Sequence, residues 1–166
     1  MMNMFCFQCQ ETAKGTGCTV SGVCGKKPET SRWMDLLLSV TRGVGTIYHE
    51  LLNNGYANDV AVDDFIVDAL FATITNANFD DTALLQKVDN GLTIKRRLLD
   101  IAAQRGVALP DYQEVKWGGE KSDYASVYSF TALSTSASST SSASAIILVW
   151  ISTVFSRACN LFSFIA

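Results

Sequence analysis

The sequence predicts an all-α protein: a Cys/Gly-rich loop at the start, then an antiparallel bundle of about three helices, then an irregular C-terminal tail. Three observations carry that expectation. Residues 1–28 hold four of the five cysteines together with Gly15, Gly17, Gly22 and Gly25, and glycine permits the positive φ and close backbone approach that a tightly wrapped loop needs. Apolar residues then recur with a period near 3.6 through three successive segments up to about residue 120, the signature of amphipathic helices joined by short turns. Residues 131–145 are all Ser, Thr or Ala apart from Leu133, too little apolar surface to offset the entropy of ordering. The expected organisation is therefore 1–28 loop, 29–120 helical bundle and 121–166 poorly ordered tail.

From Glu29, the residues Trp33, Leu36, Leu37, Val40, Val44, Ile47, Leu51 and Leu52 mark one face of a first helix, with Thr30 or Ser31 able to cap its start and Gly55 its end. Trp33 shares that periodicity and reads as core. Gly43 and Gly45 lie inside this helix, where each costs up to about 1 kcal/mol relative to Ala, so close helix packing or a local kink is expected there. A second helix is expected from an Asp63 N-cap through Phe65, Ile66, Ala69, Leu70, Thr73 and Ile74 to a break at Asn76–Asn78. A third should begin near Asp80 or Asp81, carry Leu84, Leu85, Val88, Leu92, Leu99 and Ala102 inward, and end before Gly106 and Pro110. The pairs Asp63-Asp64 and Asp80-Asp81 read as helix-start carboxylates that complement the dipole, not as acid–base dyads.

The formal net charge of −3 and the scattered Lys and Arg leave no basic stripe to neutralise phosphates, which excludes nucleic acid as an expected partner. The run Lys95, Arg96, Arg97 lies inside the third helical segment and reads as a solvated helix face. The opening residues lack a basic region followed by an apolar stretch, so a cytoplasmic, reducing location is expected. Residues 145–166 approach the roughly 20 apolar residues of a membrane span, but Arg157 and Asn160 oppose insertion, making membrane contact the lesser reading.

In a reducing compartment, closely spaced cysteines bind metal or do redox chemistry more often than they form structural disulfides. Here Cys6, Cys9, Cys18 and Cys24 stand at gaps of two, eight and five residues. The first gap brings two sulfurs to one side of a turn, and the longer gaps let the chain pass around a core before closing it. Thiolate sulfur suits both iron–sulfur clusters and zinc, but zinc sites more often repeat the two-residue gap in both halves. Four thiolates around an oxidised [4Fe–4S] core leave about two net negative charges, which Lys14, Lys26 and Lys27 could soften. An iron–sulfur cluster leads, with zinc, and then a disulfide or unligated thiols, as the alternatives.

The stretch Met4-Phe-Cys-Phe-Gln-Cys-Gln-Glu-Thr-Ala-Lys, then Gly17-Cys-Thr-Val, Gly22-Val-Cys-Gly-Lys, Glu29-Thr30, Asp35-Leu36-Leu37 and Leu70-Phe-Ala-Thr-Ile-Thr-Asn-Ala-Asn-Phe-Asp resembles the N-terminal region of the hybrid-cluster (prismane, or hydroxylamine reductase) family, over Met4 to about Gly119. The resemblance implies that Cys6, Cys9, Cys18 and Cys24 hold a cubane [4Fe–4S] cluster, a [2Fe–2S] cluster belonging to a subgroup with longer gaps. It further implies electron transfer to a second, hybrid iron–sulfur–oxygen centre that reduces hydroxylamine to ammonia and nitric oxide to nitrous oxide. In the family that centre is held by one His, two Glu and four Cys far downstream of the matched region. Beyond Ser122 the quoted motifs stop, and the hybrid cluster is not expected in this chain, which has a single further cysteine, Cys159, read as an incidental thiol. The polypeptide reads as truncated, its tail either natural or off-frame.

His49, the only histidine, sits between Tyr48 and Glu50 on the first helix and reads as an ordinary, partly exposed side chain rather than a ligand. No phosphate loop, Ser/His/Asp constellation or dinucleotide fingerprint is present, and no catalytic residue is assigned. The functions left in contention are an electron-transfer unit served by a redox donor protein, a reductase completed by catalytic domains on a separate chain or longer product, and a zinc-stapled structural or interaction module.

Overall fold

The computed structural model describes residues 4–75, 77 and 79–120, all of which belong to one compact unit, Met1–Ser136. Expectations for the tail, including Cys159 and the apolar 145–166 segment, and for the Asn76–Asn78 break lie outside the described residues. The described part is a looped N-terminal segment followed by α1 (Pro28–Asn53), α2 (Val60–Ile74), α3 (Asp81–Arg105) and a short α4 (Gln113–Lys116). No strand occurs among the described residues, only an isolated antiparallel bridge between Cys6 and Cys18. No helix among them is long and apolar enough to cross a membrane.

The longest helix, α1, starts earlier than Thr30 or Ser31. Pro28 occupies its first turn and Lys27 stands at the N-cap without a side-chain bond. Proline suits that place because its missing N–H would be unsatisfied there anyway. Thr30 and Ser31 are buried instead, and Thr30 Oγ1 donates to Asp81 Oδ1 at 2.8 Å, tying the start of α1 to the start of α3. At the far end Gly55 takes a φ of +78°, and the Tyr56 N–H reaches back to the Leu51 carbonyl, the left-handed stop that the sequence places there.

The core follows the predicted stripe with two exchanges. Leu36, Leu37, Val40, Val44, Ile47 and Leu51 are buried, and Met34 and Tyr48 are too, whereas Trp33 and Leu52 are only half-buried. Each fully buried aliphatic side chain of this kind contributes about 1.5–3 kcal/mol. Tyr48 can sit inside because its hydroxyl accepts from the Asp59 N–H at 2.7 Å and donates to Asn58 Oδ1 at 3.3 Å.

Helix α2 begins at Val60 on an Asp59 N-cap, not on Asp63. The Asp59 Oδ1 atom accepts the Ala61 N–H at 3.1 Å, while its Oδ2 accepts from Arg97 on α3 at 2.7 Å. Asp63 falls within the first turn, where it accepts from Asn58 at 2.8 Å. For α3 the expected cap is correct: Asp80 Oδ1 accepts the N–H groups of Thr82 and Ala83, and Gly106 ends the helix at φ +65°. Leu98 rather than Leu99 is buried on α3, because Leu84, Val88, Gly91, Leu92, Lys95, Leu98 and Ala102 hold the inner face.

Contacts between α1 and α3 climb together: Thr30 with Asp81, Val40 with Gly91, and Gly43 with Lys95. These helices are therefore parallel and pack directly on each other, and α2 runs antiparallel to them, with Asp59 meeting Arg97 and Asp68 meeting Lys87, giving an up–down–up bundle in which sequence neighbours are antiparallel. Gly91 lies at the meeting of three helices. A Cβ there would stand 2.5 Å from Phe65 on α2 and 2.7 Å from Val40 on α1, closer than packed atoms tolerate.

Past α3 the chain turns back across the bundle as α4, which periodicity alone did not announce, since only Val115 of its four residues is buried. The anchor is Lys95. Its ammonium donates to the Glu114 carbonyl and, at 2.7 Å, to the Trp117 carbonyl. Lys95 is 2% exposed, so the expectation that Lys95, Arg96 and Arg97 form one solvated face fails at its first member, while Arg96 and Arg97 are exposed. Burial pulls the Lys95 pKa down to about 8, against the opposing charge of Glu114.

Candidate metal centre

All four sequence-predicted cysteines lie in the looped segment ahead of α1, as free thiols. Cys6 and Cys18 form its floor. Their backbones exchange hydrogen bonds, Cys6 N–H to the Cys18 carbonyl at 3.0 Å and Cys18 N–H to the Cys6 carbonyl at 2.9 Å. Both are buried and pack with Met4 and Ala13 in a small apolar cluster. Cys9 is half-buried and Cys24 exposed, so the four thiols run from the interior of the loop to its surface.

The turn after Cys9 is closed by Thr12, whose N–H donates to the Cys9 carbonyl at 3.3 Å and whose hydroxyl donates to the Cys6 carbonyl at 3.1 Å. A 3₁₀ turn over Ala13–Gly15 follows and aims the Ala13 N–H at Cys18 Sγ, 3.4 Å away. That bond and another from the Val23 N–H hold the Cys18 thiol below its ordinary pKa. Burial opposes them, and Thr12 and the charge of Lys26 add to the lowering. Hydrogen bonds of this kind favour the thiolate, the form that ligates metal.

The glycines of the loop have separate reasons. Gly22 admits no side chain, because a Cβ would lie 2.9 Å from the Lys26 Cβ and 3.0 Å from Cys24 Sγ. Gly25, at φ +88°, lets the chain double back so that the Gly22 N–H meets the Lys26 carbonyl at 2.8 Å.

Lys26, the last buried residue before α1, is 1% exposed. Its ammonium donates to Gln8 Oε1 at 2.9 Å and stands 3.7 Å from Cys6 Sγ. Gln8 in turn donates from Nε2 to Asp35 Oδ1 on α1 at 3.3 Å. Burial pushes the Asp35 carboxyl up to about 7, with the Lys26 charge and the Gln8 bond opposing the shift. Of the three lysines that sequence reasoning placed near the thiols, Lys14 and Lys27 are exposed, so only Lys26 brings its charge inside. Gln8 and Asp35 lie within the stretches that carry the resemblance, but the sequence alone assigns a role to neither. Only their meeting with Lys26 across the loop–helix junction marks them.

The donor set fits a thiolate-ligated group: four unpaired sulfurs in one loop, N–H groups directed at Cys18 and an ammonium directed at Cys6. Among the described residues no three His, Cys, Asp or Glu side chains stand close enough together to hold a single metal ion. His49 is half-buried on α1 and shares a hydrogen bond with Asn53 at 3.1 Å, outside the cysteine loop.

A family model described as "Prismane/CO dehydrogenase family" matches residues 4–148. That match runs past Ser122, further along the chain than the motifs quoted above. Among curated proteins, the chain is 48% identical over 124 residues to a hydroxylamine reductase of Bacteroides fragilis, covering 74% of this chain and 22% of that protein. It is 43% identical over 129 residues to a hydroxylamine reductase of Nitratidesulfovibrio vulgaris, covering 74% and 23%. With a hydroxylamine reductase of Clostridium botulinum it shares 43% over 116 residues, covering 70% and 20%. The chain thus spans about a fifth of the length of these relatives.

Proposed function

The chain belongs to the Prismane/CO dehydrogenase family, and from that membership we propose that its cysteine loop binds a [4Fe–4S] cluster through Cys6, Cys9, Cys18 and Cys24 and serves as an electron-entry unit. The single observation that carries this reading is the loop itself: four free thiols in one segment, with N–H groups and a buried ammonium turned toward two of the sulfurs. When bound, such a cluster accepts and releases single electrons. The protein's own part is to favour the thiolate of Cys18, through the Ala13 and Val23 N–H groups, and to place Cys6 and Cys18 away from water while Cys24 stays near the surface.

Hydroxylamine reduction, the activity named for the relatives, belongs in this proposal to a separate centre. The whole chain carries a single cysteine beyond the loop, Cys159, too few for the four-Cys part of a second centre like the family's. The electrons come from a redox donor protein in the cytoplasm and pass to catalytic domains outside this sequence.

Anaerobic purification, followed by assay of iron, acid-labile sulfide and zinc, tests the reading. Iron and sulfide in nearly equal amounts, with a paramagnetic signal that appears on dithionite reduction, are expected. A colourless protein carrying zinc would replace the proposal with a zinc-stapled structural or interaction module. Hydroxylamine turnover by this chain alone would overturn the assignment of catalysis elsewhere.

A further inference from the structure

An interior lysine needs an anion. Taking an ammonium out of water costs several kcal/mol unless an opposite charge and hydrogen bonds compensate. Around Lys26 the first contacts are a neutral amide oxygen, Gln8 Oε1 at 2.9 Å, and a sulfur, Cys6 Sγ at 3.7 Å. Among the described residues, the carboxyl of Asp35 is linked to the lysine through Gln8, and burial leaves it incompletely ionised near neutral pH. Full compensation therefore requires negative charge on the Cys6 side.

The lysine is also held at its base. The Lys26 carbonyl accepts the Gly22 N–H at 2.8 Å, and Pro28 begins α1 two residues later. Its side chain spans from the head of the helix to the first ligand, with little freedom left to reach solvent.

We propose that Lys26 is a positioning residue for the thiolate-ligated centre, its ammonium a fixed counter-charge at Cys6 that raises the reduction potential, with Gln8 and Asp35 holding it in register. This rests on the reading of the loop as a cluster site. Reduction adds one negative charge to the centre, so a nearby cation favours the reduced form and a nearby anion disfavours it. Lys26 and Asp35 consequently act with opposite signs on the same equilibrium, from two sides of one amide.

The test is potentiometric titration of the anaerobically purified chain, followed by electron paramagnetic resonance, for wild type, Lys26→Met, Lys26→Arg and Asp35→Asn. The measurement is made at a pH of about 9, where a carboxyl with a pKa near 7 is ionised. Lys26→Met should disfavour the reduced form about tenfold or more, which is about 59 mV downward for a one-electron couple. Lys26→Arg should stay near wild type, and Asp35→Asn should move the potential upward. Loss of packing alone would not produce shifts of opposite sign at the two positions. Equal potentials for Lys26→Met, Lys26→Arg and wild type would overturn the proposal. Should Lys26→Met retain no iron, the Asp35→Asn result decides: an upward shift supports the counter-charge and an unchanged potential overturns it. Wild-type protein without iron and sulfide would instead sink the cluster reading, and this inference with it.

Discussion

Gly43 and Gly45 sit two residues apart in α1 with the same local chemistry, and alanine at the two positions should act in opposite directions. In a helix interior, Gly→Ala stabilises by about 0.8–1 kcal/mol through propensity. At Gly45 nothing lies within 4 Å of the new methyl group, so Gly45→Ala should realise that gain in full. At Gly43 the methyl would collide with the Glu114 carbonyl oxygen and press on the Lys95 side chain. A backbone oxygen cannot swing aside as a side-chain end can, so α4 must move. Overpacking of this kind costs about 1–3 kcal/mol, and displacement of α4 also weakens the bonds from Lys95 to the Glu114 and Trp117 carbonyls, worth about 1.5–3 kcal/mol each as charge-assisted hydrogen bonds. The two variants should therefore differ by about 2–4 kcal/mol. With a urea m-value of about 2 kcal/mol/M, their unfolding midpoints should lie about 1–2 M apart by far-ultraviolet circular dichroism, Gly45→Ala above wild type and Gly43→Ala below. Equal stabilisation by both would refute the seating of α4 on α1.

Three further outcomes follow from the same structure. Because the folded pKa of Asp35 is raised from 3.8 to about 7 by burial, the folded state holds a proton that the unfolded chain releases. Its stabilising effect is complete below pH 4 or so and is lost as pH rises toward and through about 7. At about 1.4 kcal/mol per unit, the wild type should lose up to about 4 kcal/mol more than Asp35→Asn over that window in urea titrations of metal-free protein, and parallel pH profiles would contradict it. Asp59→Ala removes the N-cap of α2 and the partner of Arg97 and should lower stability by about 1–2 kcal/mol, while Asp63→Ala should cost much less. An equal loss at both would restore Asp63 as the cap. Serine at Cys6, Cys9, Cys18 or Cys24 should each cut iron and sulfide content severely, whereas Cys159→Ser should leave it unchanged; a loss at Cys159 would enlarge the ligand set.

The cysteine loop and the existence of three helices were legible because each depends on residues close in sequence. Thiols at gaps of two, eight and five put four soft donors in one short segment by residue type alone, and the periodic run from Leu36 to Leu51 announces a buried face. Asp80 and Gly106 likewise mark the ends of α3 by local capping chemistry. Where two local solutions compete, pattern is weaker. Asp59 and Asp63 are both able to cap α2, and the choice fell to Asp59, which also meets the Tyr48 hydroxyl at its N–H and Arg97 at its carboxylate.

What only the tertiary structure decided is the placement of charge and of close backbone approaches. Lys95 looks like a surface lysine beside Arg96 and Arg97 until α4 brings two carbonyls to its ammonium. Lys26 looks like its neighbour Lys27 until Gln8 and Cys6 enclose it. Gly43 and Gly45 are equivalent in sequence, yet one faces the Glu114 carbonyl and the other open space. Periodicity and spacing report what a segment can bury, because they act over one or two turns of chain. A buried cation or a glycine contact of this kind depends on partners eighteen or more residues away, and only the folded arrangement supplies them.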